Sequence, residues 1–205
     1  MRYSDTHKEE TRKKVLRAAA AAVRARGPDG VGVAEIMAQA GLTHGGFYAH
    51  FPNKDALVAA AVEEAFAQSR RHFMRRTEAM SPDQALASFV DAYVSSEHRD
   101  NPQRGCPIST LTSDMPRQGA AVRAAFDAGV ADAAARLEAW LPGLDLLARH
   151  SLASSLMSEM AGAVALARAV SDRDMAERFL EATRRHVKAR AGLALEVVDA
   201  PASRS

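Results

Sequence analysis

Apolar residues return at three- and four-residue intervals along most of this chain, and Gly, Pro, Asn and Asp punctuate the runs. Thr6 followed by Glu9 is a capping-box pair, and Val15, Leu16, Ala19, Ala22 and Val23 then repeat with helical period until Gly27-Pro28. This predicts a helix over residues 7–26 behind a frayed arm, 1–5. A second short helix follows from Val33 to Ala40, opened by Gly32 and with Ile36 and Ala40 on one face. Asn53 caps a run (Leu57, Val58, Ala61, Val62, Ala65, Phe66, Phe73) that continues to about residue 77. Ser81-Pro82-Asp83-Gln84 is another capping box, and it opens a helix striped by Leu86, Phe89, Val90, Tyr93 and Val94 that Asn101-Pro102 should break.

Beyond it the pattern predicts a short helix over 107–113, halted near Pro116, and a long one from Gly119 to Trp140 on Val122, Phe126, Val130, Ala133 and Leu137. Two last helices are expected over about 144–170 and 173–190, split at Ser171-Asp172. The first has a small-residue side (Ala153, Ser154, Ser158, Ala161, Gly162, Ala165) that admits another helix closely. Residues after Gly192 read as a loose tail. No repeat and no strand pattern emerges, so the fold class is all-α.

At 205 residues, 47% hydrophobic and 25% charged, the chain can bury a substantial core. Its one cysteine excludes an internal disulfide, and Arg and Glu interrupt every apolar stretch before the ~18 residues a membrane helix needs. No signal-like segment follows the basic N-terminus, so a cytoplasmic location is expected. The net charge of +2 conceals an asymmetry. Up to Lys54 there are nine Lys and Arg against five Asp and Glu; beyond it, eighteen against twenty. Positive charge therefore gathers in the first quarter, as phosphate binding requires.

That quarter ends in Gly41-Leu-Thr-His-Gly-Gly-Phe-Tyr-Ala-His-Phe-Pro-Asn-Lys54. Gly41 suits the sharp turn between two helices, Thr43 can cap the second, and Leu42, Phe47 and Phe51 can pin it to the first. His44, Gly45, Gly46, Tyr48, Ala49 and His50 are left facing outward. The elements Gly41-Leu42-Thr43, Phe47-Tyr48-Ala49-His50-Phe51 and Asn53-Lys54-Asp55-Ala56-Leu57 resemble the TetR family of transcriptional regulators. Gly32, where that family usually has Thr or Ser, and Met37, in place of a smaller residue, depart from its pattern.

The resemblance implies a three-helix helix-turn-helix head (1–53), joined by a linking helix to a helical effector-binding and dimerisation domain (54–192), with a flexible tail (193–205). It implies a homodimer, paired through a four-helix bundle in which Gly162-Ala-Val-Ala-Leu-Ala167 looks like the dimer helix. The function implied is a DNA-binding repressor of a pseudo-palindromic operator, released by a small-molecule effector of unknown identity. Double-stranded DNA would be met by Thr43, His44, Gly45, Gly46, Tyr48, His50 and Lys54: His44 at a base edge, the others at phosphate. Phe89, Tyr93, Cys106, Met115, Phe126, Met157 and Met160, with Trp140, are candidate lining for the effector pocket, although Met and aromatic residues at helical spacing also fill ordinary cores.

Several competing readings are set by the residues themselves. Lys8, Arg12, Lys13, Lys14 and Arg17 suit a solvated helix face or phosphate contacts equally, whereas Arg70, Arg71, Arg75 and Arg76 lie too far from the motif for the second role. Gly30-Val-Gly32 is no nucleotide loop, because Glu35 occupies the third glycine position. His44 and His50 lack further ligands, so neither a metal nor another cofactor is expected, and no catalytic motif suggests an enzyme. Cys106, after Arg104-Gly105 and before Pro107, either caps the short helix as a reactive, sensing thiol or is a small buried filler. A helical interaction protein with a vestigial head is the alternative to a regulator.

Overall fold

The computed structural model describes residues 2–193, with side chains from His7 onward. Among these residues there are nine α-helices and no strand: α1 (Arg2–Arg26), α2 (Val33–Gln39), α3 (Lys54–Thr77), α4 (Pro82–Tyr93), α5 (Ser96–Asp100), α6 (Ile108–Leu111), α7 (Ala120–Ala139), α8 (Leu146–Ala169) and α9 (Arg173–Arg190). Tight 3₁₀ turns cover His44–Ala49, Pro102–Arg104 and Met115–Arg117. Residues 194–205, nearly all of the expected tail, lie outside the described part.

Most boundaries follow from the local chemistry. The Asn53 side chain accepts from the Ala56 amide at 2.8 Å and starts α3. Ser81 and Gln84 form the reciprocal capping box of α4, with Pro82 in the first turn, and Asp145 and Asp172 cap α8 and α9.

Four boundaries differ from the sequence expectation. Helix α1 begins at Arg2, not beyond Thr6, because no Gly or Pro interrupts the polar first turns. The stripe expected to run unbroken to Asn101 breaks at Val94 (φ −95°, ψ 65°), where Ser95 caps a new short helix by accepting from the His98 amide. The next short helix covers only Ile108–Leu111, and its N-cap residue is Pro107, not Cys106. The second helix expected after the Gly41 turn is a 3₁₀ helix over His44–Ala49, and the Thr43 side chain makes no capping bond. Two adjacent glycines explain that change, each costing about 1 kcal/mol in α-helix relative to Ala.

Two apolar cores organise the helices. One gathers Val15, Ala19 and Val23 of α1, Ile36 and Met37 of α2, Phe47 and Phe51, and Leu57 to Phe66 of α3, together with Leu111, Met115, Val122 and Phe126. The other is built from Phe73, Leu86, Val90, Tyr93, Cys106, Leu137, Leu156, Met160, Val164, Leu180 and Val187. Helix α3 passes through both, and Ile108 touches both. At the α3–α7 crossing, Gly129 lies so close that a Cβ there would overlap the Phe66 ring.

Candidate nucleic-acid interface and buried pocket

Gly41 takes φ +75°, a left-handed conformation that turns the chain between α2 and the 3₁₀ element. The Leu42 amide bonds back to the Met37 carbonyl at 2.9 Å, closing the turn. Phe47 and Phe51 are 2% exposed, and their rings stack with centroids 5.9 Å apart. Tyr48, edge-on to Phe47, is 71% exposed, so its ring and hydroxyl project from an apolar base.

Thr43, His44, Gly45 and Lys54 are exposed; Gly46 and His50 are half-buried. A side chain at Gly45 would meet no protein atom within 4 Å. The Lys54 Nζ donates to the Asp29 carbonyl at 3.4 Å, leaving its charge at the surface of the first turn of α3. His50 has a buried Nδ1 without a hydrogen-bond partner. Burial, then the positive charges of Lys8 and Arg12, hold its pKa below the usual imidazole value.

Lys8 and Arg12 thereby enter the site from α1. The Arg12 guanidinium lies 5.0 Å from the Phe51 ring centroid, a cation–π contact. Lys13, Lys14 and Arg17 are exposed on the same helix. The result is one surface with an exposed tyrosine, two histidines and several cations. It suits phosphate and base edges through hydrogen bonding and charge.

The second site is a pocket between α3, α4, α7 and α8, with an empty volume of about 580 Å³ including its open mouth. Of the residues proposed for an effector pocket, Phe89, Tyr93, Cys106, Met157 and Met160 line this cavity, together with Trp140. Met115 and Phe126 do not. They belong to the other core, where the Phe126 ring sits edge-on to Phe66 at 5.6 Å, because the α3–α7 crossing separates them from the cavity. Lining that the sequence did not single out includes Phe66, Ser69, Arg70, Phe73, Ile108 and Arg136. The Phe73 ring touches those of Phe89 and Tyr93, and Phe89 touches Trp140 at 5.3 Å.

Behind the pocket lies a buried polar cluster. His98 Nδ1 donates to the Tyr93 carbonyl at 2.6 Å while Nε2 accepts from the Cys106 amide at 2.9 Å, which assigns the neutral tautomer with its proton on Nδ1. Burial lowers the His98 pKa to about 4, although the bond to Tyr93 works in the opposite direction. Gly105 is required beside it, since a Cβ would stand 2.7 Å from Nε2. The Tyr93 hydroxyl is buried without a hydrogen bond, with Cys106 and Ser109 as its polar neighbours, and burial raises its pKa well above the usual phenol value.

Two arginines, Arg24 buried and Arg168 half-buried, tie this cluster to the rest. Arg24 of α1, 3% exposed, donates to the carbonyls of Ala20, Ala65 and Gly105 and to Gln68 Oε1. Arg168 of α8 donates to the carbonyls of Arg99, His98 and Ser109. Arg104, the cation expected beside Cys106, is exposed, and the guanidinium that reaches this stretch is that of Arg24, on the carbonyl of the preceding Gly105. Arg24 had one visible signal, its place four residues after Ala20 on an otherwise apolar face. Arg168 had none, because its partners are carbonyls 59 to 70 residues away, and His98 had none, because its ring is held by backbone groups of Tyr93 and Cys106 that carry no side-chain pattern.

Among the described residues no group of three His, Cys, Asp or Glu could hold a metal ion, and no helix is long and apolar enough to cross a membrane.

Residues 15–61 match the family model described as bacterial regulatory proteins, tetR family. The fold is similar to that of the reduced form of E. coli NemR (TM-score 0.75, 20% identity, 92% of this chain and 100% of that one). It is also similar to a TetR transcriptional regulator of Chloroflexus aurantiacus (0.73, 24%, 92% and 97%) and to SCO4454, a TetR-family transcriptional regulator of Streptomyces coelicolor (0.70, 22%, 90% and 95%). No curated protein matches the sequence significantly.

Proposed function

Because the chain belongs to the TetR family of DNA-binding transcriptional regulators, we propose that it represses from a pseudo-palindromic operator as a homodimer and lets go when a small molecule fills the pocket. The observation that carries the DNA reading is the 71% exposed Tyr48 on its buried Phe47 and Phe51 base, flanked by Lys8, Arg12, His50 and Lys54. Thr43, Tyr48, His50 and Lys54 meet phosphate, Gly45 and Gly46 allow close approach, and His44 reaches a base edge. Residues 1–53 are the reading head and 54–192 the sensing and pairing body, in the cytoplasm and without catalysis.

Pairing is supported by an apolar surface on the last two helices. Leu166 is 53% exposed on α8, next to the exposed Gly162 and Ala165, while Met175 and Phe179 are 38% and 39% exposed one turn apart on α9. A second copy would cover this face and place two heads for half-sites about 34–36 Å apart.

Release is supported by the connection between pocket and head. The segment from Gly105 to Met115 starts at the pocket, passes Ile108 between the cores and ends among head residues, while Arg24 binds Gly105 directly to α1. A ligand that moves this segment differentially alters the head. Cys106 lines the same pocket and is 5% exposed, so a second trigger is an electrophile small enough to enter and alkylate it.

Fluorescence anisotropy of an operator duplex, with mass determination of the complex, tests the proposal. Two protomers should bind each duplex, and Tyr48→Ala combined with Lys54→Ala should weaken binding at least tenfold. Undiminished affinity of that variant would remove DNA contact from this surface.

A further inference from the structure

The pocket's own chemistry specifies what it takes. Of the residues that line it, the charged ones are Arg70 of α3 and Arg136 of α7; no carboxylate joins them. Both guanidinium groups turn to a single acid outside the lining, Asp132, which pairs with Arg136 and stands 3.5 Å from Arg70. Two cations thus share one anion at a position where the Arg70 side chain is 49% and the Arg136 side chain 25% exposed. One positive charge at the mouth is uncompensated locally.

The interior is different. Phe73, Phe89 and Trp140 meet edge-on or tilted at centroid spacings of 5.0 and 5.3 Å, an arrangement that presents ring edges and faces to a flat guest. Tyr93, 3% exposed, also lines the cavity, and the polar neighbours of its hydroxyl are Cys106 and Ser109.

We infer that the pocket takes an aromatic anion, its ring system among Phe73, Phe89 and Trp140 and its carboxylate at the mouth between Arg70 and Arg136. The carboxylate competes with Asp132 for the two guanidinium groups, forming charge-assisted hydrogen bonds in a partly desolvated site. Because Arg70 lies on α3, the helix that begins at Lys54 beside the head, its change of partner acts on the element leading to DNA. The inference rests on the reading of this cavity as the effector site, and the test separates the two.

Isothermal titration calorimetry of the full chain with biphenyl-4-carboxylate and with the neutral biphenyl-4-carboxamide reads the preference. The carboxylate should bind about tenfold tighter or better, as expected for one charge-assisted pairing. In Arg70→Gln combined with Arg136→Gln the two probes should bind within about twofold of each other; Arg136→Lys should keep part of the preference. Circular dichroism melts of these surface variants establish that they fold. Phe89→Ala should weaken both probes. Equal affinities in the wild type, a preference that survives the double variant, or no binding of either probe would overturn the inference. DNA release is measured on the same samples: carboxylate binding that leaves DNA affinity unchanged supports the anion pocket while contradicting release through it.

Discussion

The two cores of this molecule differ in how completely they close. The head-side core is made of aliphatic residues and Ala with four phenylalanines, and is closed at the α3–α7 crossing so tightly that Gly129 has no room for a methyl group. The pocket-side core is also mainly Leu, Val and Ala, with Phe73 and Tyr93 buried in it and Phe89 and Trp140 packed against it; it keeps an empty volume and carries buried His98 at its edge. A close-packed core transmits displacement without absorbing it, whereas a cavity can adapt to a guest. In the proposed function the half with the cavity senses and the closed half presents the reading surface, with Arg24 and the Gly105–Met115 segment between them.

A large effect should come from adding volume to the closed core, and a small one from adding it to the open core on the same helix. Gly129→Ala would gain about 1 kcal/mol in a free helix, yet here it forces the Phe66 ring aside and should cost about 2 kcal/mol or more. Ala133→Val, one turn along and facing the pocket, should change stability by less than about 1 kcal/mol. Urea unfolding compares the two, and equal costs would erase the contrast.

Next comes the tie. Arg24→Met leaves the Gly105 and Ala65 carbonyls without their donor and should cost about 2–4 kcal/mol. At a temperature where the variant remains folded, it should still bind DNA but respond less to a pocket ligand. A full ligand response would show that Arg24 is only structural.

A pH-dependent effect of comparable size belongs to His98. Its folded pKa, about 4, lies below the ordinary 6.5, so the unfolded chain binds more protons between these values. The stability conferred by neutral His98 is complete above pH 6.5 and declines as pH falls toward 4, by about 3 kcal/mol in all. His50 and His72, whose pKa values are also lowered, act in the same direction. Unfolding free energies of wild type and His98→Gln at pH 7.5 to 4.5 isolate the His98 part: the variant should show a shallower slope, and parallel profiles would refute the assignment.

The smallest effects concern the reading surface. Lys54→Ala should weaken binding to all sequences alike and lower the salt slope by about one unit. His44→Ala should instead relax preference at one or two positions per half-site; uniform loss would place His44 at phosphate.

What could be read in the sequence tracks how local its cause is. Helix α3 was legible from the Asn53 cap and its stripe, and α4 from its capping box, since each signal and its consequence lie within a few residues. The 3₁₀ form of His44–Ala49 was not, although Gly45-Gly46 contained the reason. The exposed head residues were legible because a short turn with Phe47 and Phe51 inward leaves little choice for Tyr48. The pocket was half legible. Phe89 and Tyr93 share a stripe with the cavity wall, but Met115 and Phe126 have the same periodicity and face the other core, a choice made by how α3 crosses α7. The Arg24 and Arg168 ties depend on carbonyls up to 81 residues away, beyond any local pattern.

The central claim is that the Tyr48 surface of a paired molecule reads DNA. Selection of bound duplexes from a random-sequence pool, at low salt and with the full chain, tests it most directly. The account predicts enrichment of an inverted repeat whose half-sites lie about one helical turn apart, with enrichment lost in the Tyr48→Ala, Lys54→Ala double variant. A pool that stays random after repeated rounds would contradict it and favour a helical interaction protein whose head no longer reads DNA.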